Sequence, residues 1–185
     1  MELKEIQKIL KSKARKKDRE STIRFVPTAK KVYGVKVEIL NHIVKRIKEP
    51  NFNLVKKLWK NGAFEERLLA AKILSKISKK NQSKALKLIK QFSRNISDWA
   101  VCDILGTQSV REIAKEKPKE IFKLSEELIN SKNLWQRRLA IVLLIELNRQ
   151  GFGKKKIKKL ANKVKKDKEY YVKRALIWLK NKLGA

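Results

Sequence analysis

Leu134-Trp135-Gln136-Arg137-Arg138-Leu139-Ala140-Ile141-Val142-Leu143-Leu144 is apolar on every face from Leu139 onward, the composition of a helix buried on all sides rather than of a surface helix. Asn133, with Gln136 three residues on, makes a capping-box pattern at its start. Counting 35 residues at a time from Ala140 reaches Ala175 in one direction, and Leu105 and then Ala70 in the other. Each lies in a stretch of the same kind: Phe64-Glu65-Glu66-Arg67-Leu68-Leu69-Ala70-Ala71-Lys72-Ile73-Leu74, Trp99 to Leu105, and Tyr170-Tyr171-Val172-Lys173-Arg174-Ala175-Leu176-Ile177-Trp178-Leu179.

Between these stretches lie more polar helical patterns at 82 to 93, 118 to 130 and 154 to 166. A helix pair repeated at this interval predicts an all-α fold, an α-solenoid of HEAT-like antiparallel pairs. Local signals agree: Ser97 and Asp167 can cap the second and fourth apolar helices, Pro118 suits a first helical position, and Gly106 reads as the C′ residue after the second. Upstream, residues 2 to 17 show a helical period at 3, 6, 9 and 10 that dissolves into a basic run, so residues 1–20 read as a basic N-terminal helix and tail. Residues 24 to 35 form an irregular connection broken by Pro27 and Gly34, followed by helices at 36 to 48 and 51 to 60 with Pro50 between them. His42, four residues after Glu38, reads as a paired structural histidine. The length of 185 residues suits one domain, 1–185.

The formal charge is +31, from 49 basic against 18 acidic residues. Such an excess calls for a polyanion; DNA or RNA is the leading partner, since neutralising phosphates releases condensed counterions, and an anionic membrane surface is the lesser one. One cysteine excludes an intramolecular disulfide, and one cysteine with one histidine cannot furnish the three or four ligands of a metal site, so no metal and no cofactor is expected. The first residues lack a signal-peptide pattern and no apolar run is long enough for a bilayer, which predicts a cytoplasmic protein that does not enter membranes. Phosphate loops, nucleophile elbows and zinc-protease motifs are missing from the sequence.

Lysine avoids the windows 61 to 71, 91 to 114 and 133 to 153, where arginine takes over at Arg67, Arg94, Arg137, Arg138 and Arg149. A concave basic face carrying planar guanidinium forks and tryptophans would suit a duplex backbone, while the lysine-rich stretch 154 to 168 reads as a solvated outer surface. Trp99 and Asp103 stand at i and i+4 on one helix face, and Asp103 falls close to the helix end, where the macrodipole disfavours an anion. It reads either as a cap or ion pair with Arg138, one repeat along, or as a functional carboxylate. Cys102 reads as packing, Trp59 and Trp135 as core, and Tyr170 and Tyr171 as one core and one surface residue.

Three segments resemble the AlkD-like alkylpurine DNA glycosylases, a family built from HEAT-like repeats. Trp99-Ala100-Val101-Cys102-Asp103 is similar to its W-x-x-x-D helix, Asn133 to Ile141 to its N-x-W-x-x-R-x-A-I helix, and Lys168 to Trp178 to its K-E-x-x-x-x-K-A-I-x-W helix, with Arg174 in place of a lysine. Weaker agreement runs through Tyr33-Gly34-Val35 and Phe64-Glu65-Glu66-Arg67. The resemblance implies that Asp103 is the catalytic carboxylate, that Trp99 and Trp178 are aromatic walls, and that Arg138 contacts phosphate. Arg67, Arg137 and Arg174 join Arg138 as DNA-binding candidates. It implies a monomeric DNA glycosylase that hydrolyses the N-glycosidic bond of cationic N3- or N7-alkylated purines in double-stranded DNA without base flipping. Two alternatives are a non-catalytic repeat protein that binds damaged, bent or branched duplexes and a protein-binding scaffold.

Overall fold

The computed structural model describes residues 1–184. The described residues form α-helices and two short 3₁₀ turns, with no strand. In chain order the helices are α1 (Leu3–Lys13), α2 (Lys16–Phe25), α3 (Val37–Arg46), α4 (Phe52–Asn61), α5 (Phe64–Ile77), α6 (Gln82–Ser93), α7 (Trp99–Thr107), α8 (Arg111–Glu116), α9 (Pro118–Leu128), α10 (Leu134–Arg149), α11 (Lys154–Ala161) and α12 (Tyr170–Leu183).

The repeated apolar stretches become α5, α7, α10 and α12, which stack side by side as one row. The amphipathic α4, α9 and α11 pack behind them, α4 on α5 and both α9 and α11 on α10, giving the two-layered α-solenoid that the 35-residue interval implies. Residues 139 to 145 of α10 are at most 2% exposed, because this helix meets neighbours on both sides and a second layer behind. Buried serines reinforce the stack: Ser109 Oγ donates to the Ala71 carbonyl (2.8 Å) and Ser125 Oγ to that of Ala140 (2.7 Å).

Local details differ from the sequence reading in instructive ways. Gly106 lies inside α7 rather than beyond it, and a Cβ there would come within 2.8 Å of Val142 and 2.9 Å of Leu139. The glycine lets α7 close on α10. Asp98, not Ser97, caps α7, accepting from the Val101 N–H at 2.8 Å. Asn133 caps α10 by accepting from the Trp135 N–H (2.8 Å), but Gln136 turns to Ser93 and Ser131 instead of completing a box. Asp167 accepts from the Glu169 N–H just ahead of α12, whose N-cap is Glu169. His42, read as a paired structural histidine, is exposed.

Asp98 is 1% exposed, and burial pushes its carboxyl up to about 6 against the opposing pull of the Val101 N–H and the Arg67 guanidinium. A raised folded-state value means its stabilisation is full below about pH 4 and is lost as the pH climbs through about 6. Asparagine caps as well as aspartate and carries no charge. Asp98→Asn is therefore expected to exceed the wild type by about 2 kcal/mol at pH 8, with the gap closing by pH 4. Urea midpoints at the two pH values measure this, and a variant weaker than wild type at pH 8 contradicts it.

The N-terminal segment contains a second helix, α2, where a basic tail was expected. It is fastened through the Tyr33-Gly34-Val35 turn. Arg15 N–H donates to the Gly34 carbonyl (3.0 Å), and at φ +89° a Cβ on Gly34 would sit 2.6 Å from the Arg15 carbonyl oxygen. The turn is in turn held by Glu65 of α5, 1% exposed, whose Oε1 accepts from the N–H groups of Gly34 (2.7 Å) and Val35 (3.1 Å) and whose Oε2 accepts from Tyr33 (2.9 Å). Glu66 accepts from the Gln7 amide and the Tyr33 hydroxyl, each at 3.0 Å. Burial and that carboxylate push the Tyr33 hydroxyl up to about 12. Two adjacent glutamates thus hold the turn before α3 and the Gln7 side chain of α1.

Candidate functional site

A cavity of about 520 Å³ opens where α2, α7, α10 and α12 meet. Its lining includes Trp99 and Asp103 from α7, Arg138 from α10, and Tyr170, Tyr171, Arg174 and Trp178 from α12. Arg24 and Phe25, at the end of α2, and Pro27 complete it.

Asp103 and Arg138 form a two-pronged pair, Nε donating to Oδ1 at 2.9 Å and Nη2 to Oδ2 at 2.8 Å. The remaining Nη1 donates to the Tyr171 carbonyl at 2.6 Å, so one guanidinium ties α7, α10 and α12 together. Arg138's side chain is 6% exposed and Asp103's 19%, which leaves the carboxylate as the part open to the cavity. Burial raises the Asp103 carboxyl above its ordinary range, while the hydrogen bonds and charge of Arg138 pull it back. The pair is preorganised: the carboxylate is held in one orientation by a planar fork, in a shielded setting where its field is strong.

The aromatic walls are placed by their own contacts. Trp99 Nε1 donates to the Phe25 carbonyl at 3.2 Å, so the end of α2 is fixed beside the indole. Tyr171 packs on Trp135 with the rings tilted by 32° and their centroids 5.0 Å apart, and Tyr170 meets Tyr171 edge-on at 5.2 Å while standing 62% exposed. Arg24 lies 5.0 Å over the Phe25 ring, and Arg174 is exposed. Three guanidinium groups and one carboxylate therefore line the cavity, a site electrostatically suited to an anionic backbone with one negative point inside it. Cys102 is fully buried with its thiol on the Trp135 carbonyl, and burial raises that thiol, an inert environment.

The structure thus gathers Trp99, Asp103, Arg138, Arg174 and Trp178 in one place, and leaves Arg137 and Arg67 out of it. Arg137 is spent on Asp167 (2.6 and 3.3 Å) and on the carbonyls of Ser131 and Lys132. Arg67 borders a second cavity. Sequence reasoning missed Arg24, Phe25 and Pro27, for no pattern links residue 25 to residue 99. Among the described residues, no three His, Cys, Asp or Glu side chains gather as a metal ion would need, and no helix is long and apolar enough to cross a membrane.

Fold and site together define an α-solenoid with a cationic, aromatic-walled cavity around a single shielded carboxylate. The model of the family described as DNA alkylation repair enzyme matches residues 6–184. The chain belongs to that family. No curated protein matches it.

Proposed function

We propose that the protein is a DNA glycosylase that hydrolyses the N-glycosidic bond of cationic N3- or N7-alkylated purines in duplex DNA, leaving the lesion unflipped. The single observation carrying this reading is the Asp103 carboxylate, held by Arg138 yet open to a cavity walled by Trp99 and Trp178. As the C1′–N bond breaks, its electron pair moves to the cationic purine, which leaves neutral, and positive charge develops on the sugar. Asp103 stabilises that charge and orients a water whose oxygen bonds to C1′ and whose proton is released. The indole faces of Trp99 and Trp178 attract the same cationic sugar. A base that already bears its charge needs no general acid, which suits a cavity without histidine. The partner on this reading is double-stranded DNA bound by a monomer in the cytoplasm, with Arg174 and Arg24 facing phosphates, Arg138 adding its charge from behind Asp103, and no cofactor.

The test is release of 7-methylguanine or 3-methyladenine from methylated duplex DNA. Release faster than the spontaneous rate is expected; release at the spontaneous rate overturns the reading. One observation favours a second reading, a non-catalytic binder of damaged, bent or branched duplexes: both Asp103 oxygens are engaged by Arg138, as in a purely structural ion pair. That reading expects tight, salt-dependent binding with no base release.

A further inference from the structure

A second cavity, of about 450 Å³, lies one repeat before the first, between α4, α5 and the end of α6. Lys56, Lys60, Arg67, Gln91 and Asn95 bring its polar groups, and no acidic residue lines it. Lys56 and Lys60 are one turn apart on the same face of α4. Arg67 is half-buried over the ring of Trp59, at 5.4 Å, and Trp59 is itself stacked on Phe92 at 4.2 Å. The guanidinium is built in rather than loose on the surface.

Its bonding is incomplete in a telling way. Nη1 donates to the Asn95 carbonyl (2.9 Å) and to Ser97 Oγ (3.2 Å), while Nε is buried with no acceptor. Among the described residues Arg67 has no ion-pair partner; Asp98 acts on it only through space, and burial lowers its guanidinium from the ordinary range. The repeat supplies an internal comparison. Two repeats on, Arg137 occupies the equivalent position and is neutralised by Asp167; the position equivalent to Asp167 next to Arg67 is Ser97, a neutral hydroxyl. A half-buried cation without a counter-charge is unfavourable, and here it faces an open cavity flanked by two more cations.

We infer that the Lys56–Lys60–Arg67 cavity is a binding site for one phosphodiester group of the DNA strand that leaves the main cavity. The guanidinium supplies planar donors, the two lysines supply point charge, and the external anion supplies from the cavity the counter-charge that Asp167 gives Arg137. Ser97 and Asn95, which hold Arg67, lead within a few residues into Trp99, so the cavity is tied to the segment that opens α7. The inference rests on the DNA-binding half of the proposed function and not on base release.

The experiment is binding of an undamaged duplex by fluorescence anisotropy across 50 to roughly 300 mM salt, for the wild type, Arg67→Gln and Lys56→Gln/Lys60→Gln, with Lys155→Gln/Lys159→Gln on α11 as a comparison. Loss of one phosphate contact is expected to reduce the slope of log K against log salt by about 0.9, with affinity near 100 mM falling about 3- to 10-fold for the first two variants. The α11 pair is expected to retain the wild-type slope. If Arg67→Gln does not fold, the exposed lysine pair on α4 carries the test alone. An unchanged slope, or an equal loss in the α11 pair, overturns the site. Inorganic phosphate that raises the wild-type melting temperature but not that of the lysine variant, with duplex slopes equal, would assign the cavity to free phosphate and overturn the DNA assignment. Because the duplex carries no lesion, failure of the base-release assay leaves this result standing, and the reverse.

Discussion

Asp103→Asn is expected to lower the rate of base release by about 10² to 10³-fold, the loss seen when a preorganised group facing developing charge is neutralised. The substitution preserves shape, and an amide oxygen can still accept from one arm of the Arg138 fork, so the aromatic walls keep their places. What disappears is the one negative charge among the residues that line the cavity. The acid limb of the wild-type profile follows from the same group: burial raises the Asp103 carboxyl, so the active carboxylate is lost on acidification at a higher pH than an ordinary aspartate would show. Asp103→Asn also weakens the tie between α7 and α10, while Arg138 keeps its bond to the Tyr171 carbonyl, so folding and chemistry are read separately. Single-turnover release at a temperature where circular dichroism shows both proteins folded separates the two effects. Equal rates above the spontaneous background would remove Asp103 from the chemistry.

Glu65→Ala is expected to destabilise the protein by about 4 kcal/mol, since it strands three backbone donors that a buried carboxylate now satisfies. That is a large share of the roughly 5 to 15 kcal/mol by which domains are stable. For a chain of this size the melting temperature should fall by about 8 to 16 °C. Glu38→Ala, on an exposed position of α3, should stay within about 0.5 kcal/mol of wild type. A loss below about 1 kcal/mol for Glu65→Ala would show that the Tyr33-Gly34-Val35 turn holds itself. Because that turn seats α2, the variant is also expected to free Phe25 from Trp99, readable as a change in indole fluorescence below the melting transition.

The inner row of helices was legible because burial on several sides leaves long apolar runs, and equivalent positions repeat at a fixed interval. α2 was not legible for the opposite reason: none of its residues is buried, so it imposes no hydrophobic period on its sequence. Gly106 was misread since a glycine near a helix end satisfies either a left-handed cap or a close helix crossing, and only Val142 and Leu139 across the interface decide between them. Ser97 and Asp98 are adjacent capping types, and the choice depended on which side chain meets the Val101 N–H. In the site, the Asp103–Arg138 pairing could be weighed in advance because it joins equivalent positions of successive repeats. Arg67 and Arg137 share a register too, yet their partners, a hydroxyl and a carboxylate, set them apart.

A stack of repeats is a nearly one-dimensional object whose end units can open without disturbing the middle. Arg138 works against that independence. Its two ties, to Asp103 in α7 and to the Tyr171 carbonyl at the start of α12, make the last helix a bonded neighbour of one two places earlier in the row. Peeling α12 away would expose an arginine side chain that is buried in the folded protein and break its third hydrogen bond. Opening of the terminal repeat is therefore expected to open the cavity with it.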